Sequence, residues 1–168
     1  MRIENNRIVT LCYELYDGDQ DGELMERMDA HYPFHFMFGT GALLPAFESH
    51  LIGLGEGDLF EFRICAKEGY GMHNPEEVLD VPMSAFKVDG RIPEGILEVN
   101  QFITLTDNKG RQHNGKILRF DNASVTVDFN HYMAGKDLYF TGIVMEIREA
   151  TVQELGVGHV ILPDGFSA

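Results

Sequence analysis

Basic residues are scarce in this chain. Thirteen Lys and Arg stand against 27 Asp and Glu in 168 residues, for a formal net charge of -14. A surface of that sign repels phosphate backbones and anionic lipid, so the chain is expected to bind neither nucleic acid nor membrane. Cysteine is scarcer still. Cys12 and Cys65 alone make no disulfide framework. Both lie in strand-like runs, where a free cysteine serves as a small buried hydrophobe. No apolar run is long enough to cross a bilayer, and the amino terminus, MRIENNRIVT, has no apolar signal core. The expectation is a soluble cytoplasmic protein. Hydrophobic residues are not lacking: at 44% they suit a folded chain. The length suffices for one good core, or one core and a small lobe.

The chain is organised around residues 33–71. Leu44, Phe47 and Leu51 recur at helical spacing, Pro45 suits a first helical turn, and Gly53, Gly55 and Gly57 close the element. The next run, Leu59 to Ile64, alternates bulky residues with Glu61 and Arg63, the period of a half-buried strand. One helix laid across a sheet would bury Phe34, Phe36, Phe47, Leu51, Phe60 and Phe62 together.

Upstream, Arg7 to Tyr16 reads as a strand and Glu23 to Glu26 as the start of its hairpin partner. The turn between them, Asp17-x-Asp19-x-Asp21-Gly22, opens like a calcium loop. Such a loop needs a bidentate Glu at its twelfth position, where this chain has Met28. A plain acidic hairpin turn is expected. Downstream, prolines 75, 82 and 93 punctuate short apolar pieces. Strands then resume at 102–105, 115–120 and 124–129, separated by Asp-Asn turns. A long apolar strand runs from Leu138 to Arg148, and Thr151-x-x-Glu154 matches the capping box of a short terminal helix.

A final strand this apolar must join a main sheet. The simplest topology inserts the middle of the chain into a loop of a single host domain. The host is expected over 1–74 and 127–155, the guest over 75–126, and a short tail over 156–168.

Several motifs in one order carry a family likeness. They are Phe34-His35-Phe36 before a Gly turn, Leu43-Leu44-x-x-Phe47, Gly55-Glu56-Gly57-Asp58, Tyr70-Gly71, and the return through Asn130-His131-Tyr132-Met133-Ala134-Gly135. In this order the chain resembles the SlyD-like branch of the FKBP-type peptidyl-prolyl isomerases, over about residues 5–158. The resemblance implies an α+β, mainly β fold: an antiparallel sheet wrapped around one helix, with a small inserted antiparallel β lobe. It also implies prolyl cis/trans isomerisation together with chaperone action. The partners would be X-Pro peptides and unfolded or partly folded polypeptides, and no cofactor would be needed.

Carried over position by position, the resemblance assigns the catalytic pocket to Tyr13, Glu26, Phe34, Leu43, Leu44, Phe47, Tyr70 and Phe140, with Met25 and Met133 as further substrate contacts. In the inserted lobe it directs attention to Val78, Leu79, Val81, Phe86, Ile96 and Phe102, which either fill a small core or form a surface for client chains. Met25-Glu26 departs from the family's usual hydrophobe-Asp pair, and Phe47 stands where relatives carry Trp or Leu. Members of this branch often end in a His- and Cys-rich tail that binds nickel. This tail has only His159 and no Cys, which removes most of the case for a nickel chaperone. His31 and His35 are four apart in an extended stretch, so no metal site is expected there. His131 is expected to order the return loop by a hydrogen bond.

Overall fold

The computed structural model describes residues 1–162; the tail expected over 156–168 lies partly outside the described residues. The chain parts into two compact units. One comprises residues 1–71 and the chain from Gly135 onward; the other comprises Met72–Ala134.

The first unit is an antiparallel sheet with one central strand. β1 (Arg7–Asp17) pairs along its whole length with the last strand, β9 (Leu138–Glu149), which also pairs with β4 (Leu59–Ile64). Along its other edge β1 is joined by β3 (Phe34–Met37) through Ile8–Leu11, then by β2 (Leu24–Met28) through Tyr13–Tyr16. Period-two alternation sends Val9, Leu11, Tyr13 and Leu15 to one face. Their β9 partners are Ile147, Val144, Gly142 and Phe140. The parity of β9 changes between Val144 and Ile147 because Met145 is an extra residue there, where the ladder slips beside Thr10 and Leu11. That bulge keeps Ile147 on the same face as Val144.

A short helix, α1 (Pro45–Leu51), covers this face with Phe47 and Leu51. Pro45 opens it at a position where a missing N–H costs nothing. Gly142 is a packing requirement. A Cβ there would meet the Cys12 carbonyl oxygen at 2.3 Å and the Phe60 ring at 2.6 Å. Phe36, Phe60 and Phe62 are buried core, as expected for the helix-on-sheet arrangement.

The acidic turn after β1 is a hairpin turn. Asp19 accepts from the Asp21 amide, Asp17 pairs with Lys136, and Met28 lies in β2. Cys12 is half-buried, but Cys65 is exposed and follows the end of β4, so its strand-like surroundings did not make it a core residue. Thr151 and Glu154 form the expected capping box at the start of α2 (Val152–Val157).

The second unit is a four-stranded antiparallel sheet in the order β5 (Val78–Pro82), β8 (Ser124–Asp128), β7 (Gln112–Phe120), β6 (Phe102–Thr106). Its core is small: Phe86, Ile117, Val125 and Val127, flanked by Val81, Met83, Ile96, Leu97, Ile103, Leu105 and Phe129. Its two connecting segments are tied to each other. His73 bonds Asp128 at 2.9 Å, and the Asn74 amide donates to the Asn130 side chain at 2.8 Å. In the first unit, the amide of Gly135 donates to the carbonyl of Gly71 at 2.7 Å, where the chain leaves and re-enters.

No helix among the described residues is long and apolar enough to cross a membrane.

Candidate functional site

β1, β3, β9 and α1 bring four of the singled-out aromatics together. Tyr13 lies edge-on to Phe34 and Phe47, with centroids at 5.8 and 6.3 Å, and tilted to Phe140 at 5.7 Å. Phe47 meets Phe140 edge-on at 4.9 Å. These are the offset and edge geometries that aromatic quadrupoles favour. Behind them Phe62 touches both Phe47 and Phe140, and Phe36 stacks on Phe34 at 5.3 Å. Tyr13, Phe47 and Phe140 are almost wholly buried, whereas Phe34, Leu43 and Leu44 are half-buried. The cluster therefore has a rigid floor and an accessible lip.

Leu15 pairs with Glu26 across β1 and β2, which places Glu26 on the face that carries Tyr13. The Tyr13 hydroxyl donates a hydrogen bond to Glu26. Glu, one methylene longer than the Asp of the family pattern, still reaches this partner. The hydroxyl of Tyr70 is held protonated above its ordinary range, first by burial and then by the negative charge of Glu26. Tyr70 is thus a neutral O–H donor at physiological pH, and its side chain is exposed. Met25 is the extra residue where the β1–β2 ladder slips between Leu15 and Tyr16, and it is half-buried.

Met133 belongs to the second unit, where it is buried. Its amide donates to the Nδ1 of His131 at 3.1 Å, an ordering bond of the kind expected for that histidine, whose pKa burial pushes down. The lobe residues separate by position. Phe86 lies in the core, while Val81 and Ile96 are partly buried against it. Val78 is half-buried, and Leu79 and Phe102 are exposed. One face of the lobe's sheet remains open at one end as a cleft of about 400 Å3. Leu79, Val81, Leu105 and Phe129 line it with Glu77, Asp107 and His113. Gly115 is what lets Phe129 lie close: a Cβ there would meet the Val127 side chain at 2.4 Å and the Phe129 ring at 3.0 Å.

The histidines do not gather. His31 sits beside Asp29, and His35 bonds the Thr10 hydroxyl at 3.0 Å. Among the described residues no group of three or more His, Cys, Asp or Glu side chains is placed to hold a metal ion. Two features of the site have no signature in sequence spacing: the Tyr13–Glu26 bond, which depends on strand register, and the segment after α2, whose Val160 packs beside β3.

Known proteins similar to the chain agree in kind. It is 34% identical over 160 residues to the FKBP-type peptidyl-prolyl cis-trans isomerase SlyD of Haemophilus influenzae, covering 95% of this chain and 80% of the relative. To the protein of the same description from Yersinia pestis it is 32% identical over 160 residues, covering 95% and 78%. To a probable FKBP-type 16 kDa peptidyl-prolyl cis-trans isomerase of Pseudomonas fluorescens it is 33% identical over 147 residues, covering 88% and 93%. No family model matches the chain.

Proposed function

The chain belongs to the SlyD-type FKBP peptidyl-prolyl cis-trans isomerases, and from that premise we propose that it isomerises X-Pro bonds in the aromatic cup of its first unit. Rotation about such a bond faces a barrier of about 18–20 kcal/mol, because amide resonance gives the C–N bond double-bond character. The planar amide carries charge separation that water stabilises. The twisted transition state carries less, so an apolar enclosure disfavours the ground state relative to it. Phe34, Phe47 and Phe140 with the ring of Tyr13 supply that enclosure, and Leu43 and Leu44 complete its lip. Met25 is a further contact for the substrate chain in this reading; Met133, buried in the second unit, is not placed in this site. The hydroxyl of Tyr70 donates to a substrate carbonyl and fixes the amide for rotation. Glu26 holds Tyr13 by accepting its proton in a hydrogen bond, and it takes no proton during turnover.

The observation that carries this reading is the convergence of Tyr13, Phe34, Phe47 and Phe140, from separate parts of the chain, in one ring cluster with Glu26 beside it. Exchange spectroscopy on a short X-Pro peptide tests it. Wild-type protein accelerates cis/trans exchange, and Phe140→Leu and Tyr70→Phe reduce the acceleration while the fold is retained. Unchanged rates in both variants would refute the assignment.

The second unit acts as a chaperone lobe in this proposal. Its apolar cleft and the exposed Leu79 and Phe102 offer unfolded chains a surface that a closed core would not. The edge strands β5 and β6 can accept an extended chain by backbone pairing. A protein that suppresses aggregation but accelerates no prolyl exchange would favour the alternative, a holding module whose cup only grips peptide.

A further inference from the structure

Phe62 supports two rings of the cup from behind. Period-two alternation on β4 buries Phe60, Phe62 and Ile64 and leaves Glu61 and Arg63 exposed on the opposite face. The Phe62 ring meets Phe47 edge-on at 5.6 Å and lies tilted to Phe140 at 5.4 Å. A further ring stacks on it. The His50 imidazole has its centroid 4.4 Å from that of Phe62 and its plane 8° from parallel. His50 stands in the last turn of α1, three residues after Phe47, and residues three apart are neighbours on a helix surface. One turn of α1 therefore holds Phe62 with two rings. Phe62 is buried, whereas His50 is exposed. Among the described residues the His50 side chain makes no hydrogen bond or ion pair, so the stack is what orders it.

We propose that His50 is a positioning residue for prolyl isomerisation: its imidazole clamps Phe62, and Phe62 in turn holds Phe47 and Phe140 in the geometry that the twisted amide requires. The proposal rests on the aromatic cup being the prolyl site. His50 touches no substrate in this account and acts only through the ring it covers. The stack is closer than the contact between Phe47 and Phe140, at 4.9 Å, so the cup's floor is held at least as tightly from behind as within. Close-packed rings have few alternative places, so a displacement of Phe62 passes to its neighbours and is not absorbed. The residue type fits the place. Histidine presents a flat apolar face to Phe62 and keeps its nitrogens toward water at an exposed position. An aliphatic side chain there would cover the ring without fixing its tilt, and alanine would leave one face of Phe62 without a partner.

The test uses the full chain and its variants His50→Ala, His50→Leu and His50→Phe, each shown to be folded by circular dichroism. Cis/trans exchange of a short Ala-Pro peptide is followed over a range of peptide concentrations, which separates kcat from KM. His50→Ala lowers kcat about three- to tenfold, the worth of one ring pair, and leaves KM within about twofold. His50→Leu, which covers Phe62 without a flat face, loses nearly as much. His50→Phe restores a flat ring and keeps kcat within about twofold of the wild type. A second readout is the ring-proton resonances of Phe140, which stands one ring beyond Phe62. They shift in His50→Ala and return toward their wild-type positions in His50→Phe. Unchanged kcat in His50→Ala, an equal loss in His50→Ala and His50→Phe, or Phe140 resonances that stay in place in His50→Ala would overturn the clamp. If the wild type accelerated no exchange at all, the prolyl reading would fall, and the Phe140 resonances would still decide whether His50 sets the ring geometry.

Discussion

The two units build antiparallel sheets from opposite materials. The first fills its covered face with large rings, and Tyr13, Phe36, Phe47, Phe62 and Phe140 lock one another edge to face. The second fills its core with Ile117, Val125, Val127 and a single buried ring, Phe86, and leaves an open cleft beside them. Interlocked rings fix geometry to fractions of an ångström, which suits a site that must stabilise one transition state. A shallow aliphatic face with room beside it tolerates many shapes, which suits holding unrelated chains. Under the proposed function, a cup for catalysis and a surface for clients would be distinguished less by hydrophobicity than by how far the side chains are already packed.

The largest effect that could break this comparison is in the ring cluster. Phe140→Ala opens a cavity in the first unit and is expected to cost about 3–5 kcal/mol in chemical denaturation, together with the prolyl turnover. Phe102→Ala removes a mostly exposed ring of the second unit and is expected to change stability by less than about 0.5 kcal/mol while weakening client holding. Equal costs for the two would erase the distinction.

The paired glycines come next. In Gly142→Ala the new Cβ meets the Cys12 backbone carbonyl and the packed Phe60 ring, neither of which can move away cheaply. A loss of about 2–3 kcal/mol is expected, by the overpacking scale. In Gly115→Ala the neighbours are the side chains of Val127 and Phe129. The Phe129 ring can swing toward the cleft, so a loss nearer 1 kcal/mol is expected. Differential scanning calorimetry compares them.

Acid sharpens the comparison from another side. Hydrogen bonds from Arg148, and then from the Thr151 and Ile161 amides, hold the Glu154 carboxyl well below the usual carboxylate range. Its folded pKa is lower than its unfolded one, near 4.3, so its contribution is fully present above that value and fades as pH falls below it. Glu154→Gln is expected to cost about 1–3 kcal/mol at neutral pH and to flatten the acid limb of the first unit's stability. An unchanged acid limb would contradict this. The smallest structural effect is at Tyr70: Tyr70→Phe is expected to leave stability within about 0.5 kcal/mol and to lower kcat, read by exchange spectroscopy.

Much of this was legible beforehand where local signals dominate. Alternation marked β1 and β4, a long apolar run marked β9, the Leu44–Phe47–Leu51 spacing marked α1, and Thr151 with Glu154 marked α2. What sequence could not give depends on distant partners. The bulge at Met145 is a matter of ladder register with β1, and the meeting of Glu26 with Tyr13 follows from which residue Leu15 pairs with. Cys65 follows directly on an apolar strand yet is exposed, because strand-like composition does not say where the strand stops. The second carboxylate oxygen of Glu154, which also serves Arg148, turned a local cap into the anchor of the returning chain.

The most direct measurement compares cis/trans exchange of a short Ala-Pro peptide by the full chain, by the full chain carrying Phe140→Leu, and by a chain in which residues 76–126 are replaced with a short linker. Acceleration that persists without the lobe and drops with the altered ring is the expected result. Acceleration that vanishes with the lobe, or that ignores the ring, would contradict it.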